Sequence, residues 1–95
     1  MRFEWDDRKA VENLKKHGVS FGEATEVFYD PNAIEVYDER HSIEEARFII
    51  IGLSSRRLLY VIYAEQAKDV VRIVSARKAK RFEGIQYGRD RTRNS

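Results

Sequence analysis

The run Arg72-Ile73-Val74-Ser75-Ala76-Arg77-Lys78-Ala79-Lys80-Arg81 concentrates the groups best suited to chemistry on an anion. A β-branched strand pattern ends in a hydroxyl, and a dense basic cluster opens directly behind it. At a junction of strand and helix, these cations would stand beside main-chain N–H groups that a helix start leaves unpaired. Phosphate suits both. Arg72 lies inside the apolar part of the run, where an unpaired charge is costly, so it requires a carboxylate partner or a polar cleft. His17 and His41 are the two groups that change charge near neutral pH. They are far apart in sequence, with no H-E-x-x-H or Asp-x-Asp grouping, so no metal set is expected. The five glycines fall singly, which leaves no Gly-rich phosphate loop, and no cofactor is expected.

Charge is distributed unevenly. Residues 77–95 carry seven Lys/Arg against two acids, and residues 1–76 carry eleven against fourteen. The net charge of +2 therefore hides a basic C-terminal end on a mildly acidic body. Ninety-five residues suit one domain with a single core. A hydrophobic content of 42% with eleven aromatics argues against wholesale disorder. Zero cysteines exclude disulfides, thiolate nucleophiles and Cys-based zinc sites. No apolar run approaches the roughly 18 residues of a membrane span, and the acidic Met1–Asp6 start is unlike a signal peptide. The expectation is a soluble cytoplasmic protein.

The elements that must position these groups follow from period and caps. Phe3 and Trp5 alternate with polar neighbours as a short strand. Asp6 is a helix N-cap, Ala10, Val11 and Leu14 form an apolar stripe, and Gly18 closes the helix after Lys15, Lys16 and His17. Ser20-Phe21-Gly22-Glu23 has the capping-box pattern and starts a second helix with Phe21, Ala24, Val27 and Phe28 inward. Asp30-Pro31 ends it. Strands follow at Ala33–Tyr37, Arg47–Leu53, Leu58–Ala64 and Val70–Ala76, with Glu65–Asp69 as a turn. A last helix is expected from Lys78 to Tyr87, with Phe82 and Ile85 inward and Gly88 as its stop. Residues 1–88 then form the domain, and 89–95 are expected to be a disordered basic tail. The fold class is α+β: two N-terminal helices, an antiparallel sheet of four to five strands and a C-terminal helix.

Five phrases occur in this order and spacing in the BrnT family of toxins. They are Phe3-Glu4-Trp5-Asp6; Asn13 with Lys16-His17-Gly18-Val19-Ser20-Phe21; Asp30-Pro31; Arg47-Phe48 before Ile51-Gly52; and Arg72-Ile73 with Ser75-Ala76-Arg77-Lys78-Ala79. The chain resembles that family from Phe3 to about Tyr87. The resemblance implies a RelE-like fold and a ribonuclease toxin of a type II toxin–antitoxin system that inhibits translation. It also implies a BrnA-like antitoxin partner, through which DNA would be bound only indirectly.

The activity that the resemblance implies is RNA cleavage without metal, by attack of a 2′-hydroxyl. That hydroxyl must lose a proton, the leaving 5′-oxygen must gain one, and charge on the phosphoryl oxygens must be stabilised. Arg77 suits the last role, since a planar guanidinium matches two phosphate oxygens; its bland alternative is a solvated arginine at a helix start. Arg72 is a second candidate. His17 is the candidate acid or base, or else a residue packed at the helix end. Glu4 could act as a base, or pair with a cation. Lys16, Lys78, Lys80 and Arg81 would hold RNA by charge, and Ser75 would bond a phosphate oxygen or cap the next helix. The rival function is a catalytically inactive nucleic-acid- or antitoxin-binding module of the same fold.

Overall fold

The computed structural model describes residues 1–43 and 45–94, with the backbone alone at His41 and at 90–94. Strand β1 (Arg2–Glu4) leads into helix α1 (Asp7–His17) and helix α2 (Phe21–Glu26). The Asp6 carboxylate accepts from Lys9 N–H at 3.0 Å, and Gly18, at φ 69°, ends α1 with its N–H on Leu14 O. Ser20 Oγ caps α2 through Glu23 N–H at 3.0 Å. A 3₁₀ turn, Val27–Tyr29, carries the chain to the far edge of the sheet. From there β2 (Ile34–Tyr37), β3 (Arg47–Leu53), β4 (Leu58–Ala67) and β5 (Val70–Lys78) meander back, and α3 (Arg81–Asn94) follows.

The five strands lie in the order β1-β5-β4-β3-β2. The meander is antiparallel, as short connections require. β1 pairs with β5 in parallel, because the chain leaves β1 over one sheet face and returns last to its side. That crossing lays both N-terminal helices on one face. Val19, Phe21, Ala24 and Val27 are buried there against Ile50, Leu59, Val61, Tyr63, Val71, Ile73 and Ala76. Phe28 joins this core with its ring edge-on to Phe3 and Tyr63. Gly52 permits the close seat of the 3₁₀ turn on β3: a Cβ there would lie 3.1 Å from Val27 Cβ and from Ala33 Cβ.

Several elements differ from what the period predicts, each for a physical reason. β4 runs on through Glu65–Ala67, where a turn was expected. Pairing with β5 continues the ladder, and the chain reverses at Lys68-Asp69 with Asp69 at φ 63°. β5 likewise continues to Lys78, since Arg77 and Lys78 still pair with Tyr60 and Leu59. The last helix therefore starts at Arg81 and passes Gly88 to Asn94.

On α1 the side facing the sheet holds Asn13, 7% exposed, while Val11 and Leu14 are about half exposed. The expected Ala10, Val11, Leu14 stripe is thus only partly inward. β1 is short and leaves the edge of β5 unpaired beyond Arg72, so a hydrogen-bonding side chain serves there better than an apolar one. On α3 the inward residues are Glu83 and Tyr87, whereas Phe82 is 69% and Ile85 45% exposed. Tyr87 donates to Asp30 Oδ2 at 2.7 Å, and that same oxygen accepts Leu53 N–H, which ties α3 to the end of β3.

Candidate functional site

Asn13 builds the site. Its Nδ2 donates to Val19 O at 2.9 Å and to Ala76 O at 2.8 Å, and its Oδ1 accepts Ala76 N–H at 3.1 Å. The amide thus pairs with the open edge of β5 as another strand would, and it fixes α1 against that edge. Beside it lies a cleft of about 180 Å³, lined by Lys9, Glu12, Asn13, Lys16 and His17 from α1 and by Val74 and Ser75 from β5. Lys16 and His17 therefore share one cleft with Ser75, which is distant in sequence. A larger hollow of about 440 Å³ lies at the β4–β5 turn, lined by Met1 and residues 65–71, and holds none of the candidate residues.

A β-bulge decides which way the second half of β5 faces. Ile62 pairs with Ser75 while Tyr63 pairs with Ile73, so Val74 is an extra residue. Ile73 and Ala76 both enter the core, and Ser75 and Arg77 turn to the opposite face with Ile62 and Tyr60. Two residues apart on one face, Ser75 and Arg77 stand roughly 7 Å apart.

Arg77 is therefore a strand residue, not the start of a helix, and Ser75 does not cap one. The guanidinium of Arg77 lies over the Tyr60 ring, 3.8 Å from its centroid. Its Nη1 and Nη2 donate to the two Glu83 oxygens at 2.9 and 2.7 Å, and Nη1 donates also to Lys78 O at 3.1 Å. Glu83 Oε1 accepts Lys80 N–H at 2.7 Å, the returning half of a capping box at the start of α3. Burial pushes the Glu83 carboxyl up, but the hydrogen bonds from Arg77 and from Lys80 N–H outweigh it and hold it below the usual carboxylate range. The bond to Glu83 in turn raises the Arg77 pKa further. Lys78, Lys80 and Arg81 are exposed around this junction.

Arg72 and Glu4 are placed elsewhere. Five residues before Arg77, Arg72 is roughly 16 Å away along the strand. It has its carboxylate partner in Glu45, which also takes Gln66 Nε2–H at 3.1 Å. The bond from Arg72 is the main cause that holds Glu45 below the usual carboxylate range. Glu4 is exposed on β1 in register with Arg72, and neither lines the cleft. The side chain of His41 and those from residue 90 onward lie outside the described residues, as does Ser95.

Lys9, Glu12 and Asn13 were not among the sequence candidates, although a signal was present. Residues 9, 12, 13, 16 and 17 recur at the spacing of one helix face. Tyr60 gave no signal, because only the cross-strand register brings it to Arg77.

Among the described residues, no three His, Asp or Glu side chains gather as a metal ion would need. No helix among them is long and apolar enough to cross a membrane.

Comparison with known proteins places this geometry. A family model described as ribonuclease toxin, BrnT, of type II toxin–antitoxin system matches residues 5–83. The crystal structure of the Brucella abortus ribonuclease toxin, BrnT, matches with a TM-score of 0.68 at 21% identity, covering 85% of this chain and 99% of that chain. At that identity the likeness concerns the fold. A search of curated proteins gives no match. With the family model spanning most of its length, the chain belongs to the BrnT family of ribonuclease toxins of type II toxin–antitoxin systems.

Proposed function

We propose that the protein is a metal-independent endoribonuclease that cleaves RNA by 2′-hydroxyl attack, in the cytoplasm, and so inhibits translation. The observation that carries this reading is the α1–β5 cleft, which joins His17, Lys16 and Lys9 to Ser75 and leads along one sheet face to Arg77. In the reaction, a bond forms from the 2′-oxygen to phosphorus and the bond from phosphorus to the 5′-oxygen breaks. His17 is the proton carrier, with the Glu12 carboxylate in the same cleft. Arg77 offsets the charge that develops on the phosphoryl oxygens. Ser75 donates to a phosphate oxygen, and Lys9, Lys16, Lys78, Lys80 and Arg81 hold the flanking backbone. Arg72 and Glu4, remote from the cleft, serve the sheet or an outer stretch of RNA. The antitoxin is BrnA-like, and DNA is reached only through it.

A second reading has one observation in its favour. Glu83 already occupies both terminal nitrogens of Arg77, as it would in a purely structural pair. An inactive module that binds nucleic acid or antitoxin without turnover would look like this. Cleavage of a single-stranded RNA by the purified protein in EDTA separates the two. Turnover in EDTA, lowered about 100-fold or more by Arg77→Ala in a folded protein, is the expected result. Binding without turnover would favour the module, and turnover that needs added Mg²⁺ would overturn metal independence.

A further inference from the structure

We propose that Glu83 and Tyr60 are positioning residues that hold Arg77 so that one two-donor edge of its guanidinium faces a phosphate; the inference rests on the role given to Arg77 above. The donor count carries it. A guanidinium has five N–H groups in a plane, arranged as an end-on pair and a side-on pair with one more outside. Glu83 takes the end-on pair through Nη1 and Nη2, and Lys78 O takes the remaining Nη1 hydrogen. The bonds to Glu83 and Lys78 O leave Nε–H and the second Nη2–H on the remaining edge, beside the Tyr60 side chain, whose hydroxyl is near enough to interact with the cation. Those two hydrogens form the side-on edge, which matches two oxygens of one phosphate.

Three contacts restrain the group. Glu83 fixes rotation in the guanidinium plane, Lys78 O fixes its tilt along the strand, and the Tyr60 ring closes one flat side. Tyr60 is itself fixed by pairing between Ile51 and Arg77 in the sheet. Glu83 is nearly buried, 9% exposed, and is anchored a second time by Lys80 N–H. A phosphate can therefore add to Arg77 without displacing Glu83. The carboxylate thus orients the cation rather than competing for its ligand.

The test uses Glu83→Gln and Tyr60→Leu, each in the wild-type and in the Arg77→Ala background, with kcat and KM for RNA cleavage measured in EDTA. Gln keeps an acceptor for Lys80 N–H, so the helix cap survives, but it presents an NH₂ to one Arg77 nitrogen. Tyr60→Leu removes the stacking ring without touching the ion pair, and it carries the test should Glu83→Gln fail to fold. Each substitution should lower kcat by about 10- to 100-fold with little change in KM, and only where Arg77 is present. In the Arg77→Ala background both should be silent within about twofold. Equal losses in both backgrounds would mean a general structural role and would overturn the inference. So would unchanged rates while Arg77→Ala is impaired, or a faster Glu83→Gln enzyme, which would show that Glu83 masks Arg77. An Arg77→Ala protein that cleaves at the wild-type rate would overturn the role of Arg77 as well.

Discussion

Asn13→Ala should be among the most damaging single substitutions in the molecule, although the residue is polar and sits on a helix. The side chain is 7% exposed and makes three hydrogen bonds with main-chain groups, of 2.8 to 3.1 Å. At about 1 kcal/mol net for each, with a further penalty for leaving Ala76 N–H buried and unpaired, the loss is about 3–5 kcal/mol. A domain of this length has a total stability on the order of 5–14 kcal/mol. The melting temperature should therefore fall by about 12 °C or more, at roughly 4–8 °C per kcal/mol. Asn13→Asp sharpens the test, because it keeps the shape but turns the donor toward Ala76 O and Val19 O into an acceptor. Repulsion from those carbonyls disfavours the charged form, so the folded-state pKa of the new carboxyl lies above its unfolded value near 3.9. Protonated, the carboxyl can donate its one O–H to only one of the two carbonyls, so the deficit should be smallest below about pH 4 and should grow as pH rises through the folded value. Thermal melts by circular dichroism from pH 3 to 7 would show both effects. Melting within about 4 °C of wild type for both variants at pH 7 would refute the idea that this amide holds α1 to β5.

Three further outcomes are expected. His17→Gln should lower kcat for RNA cleavage by about 100-fold or more in a folded protein, and an unchanged rate would return His17 to a packing role. Glu23 is held below the usual carboxylate range, chiefly by its hydrogen bonds with Arg57. Its contribution to stability is therefore present above the ordinary value of 4.5 and is lost as pH falls below that, through the folded value. Glu23→Gln should flatten acid unfolding below that pH in a urea titration, and a slope like wild type would place the acid sensitivity elsewhere. Association with a BrnA-like antitoxin should slow markedly between 0.1 and 1 M salt, as the screening length drops from about 10 to about 3 Å. A Lys78, Lys80, Arg81 triple alanine variant that associates at the wild-type rate would move that interface off the basic junction. Tyr87 is buried on Asp30, so the exposed apolar contribution from α3 comes from Phe82 and Ile85.

Local signals specify the two N-terminal helices. Asp6, Gly18, Ser20 and Asp30-Pro31 act through hydrogen bonds and dihedral limits within a few residues, so they are legible in sequence. The apolar runs placed four of the strands for the same reason, since period 2 is a local property. The basic cluster at 77–81 and the pairing of His17 with Lys16 at a helix end were equally local. The ends of β4 and β5 were not, because a strand stops where its partner stops, and polar composition at 65–67 does not reveal that. The inward face of α1 is hidden for a similar reason: apolarity picks Val11 and Leu14, but an unpaired strand edge selects Asn13.

The orientation of the site was decided by a single extra residue. Simple alternation from the buried Ile73 would point Ser75 and Arg77 into the core. The bulge at Val74 reverses that, so both face outward while Ala76 enters the core. Sequence determined which residue types could bind a phosphate and carry a proton, because charge and pKa belong to side chains. Only the tertiary structure decided that Ser75 meets His17 in one cleft, that Arg72 belongs to Glu45, and that Arg77 lies between Glu83 and Tyr60. Those pairings depend on strand register and on the bulge, which are set by contacts between segments distant in the chain.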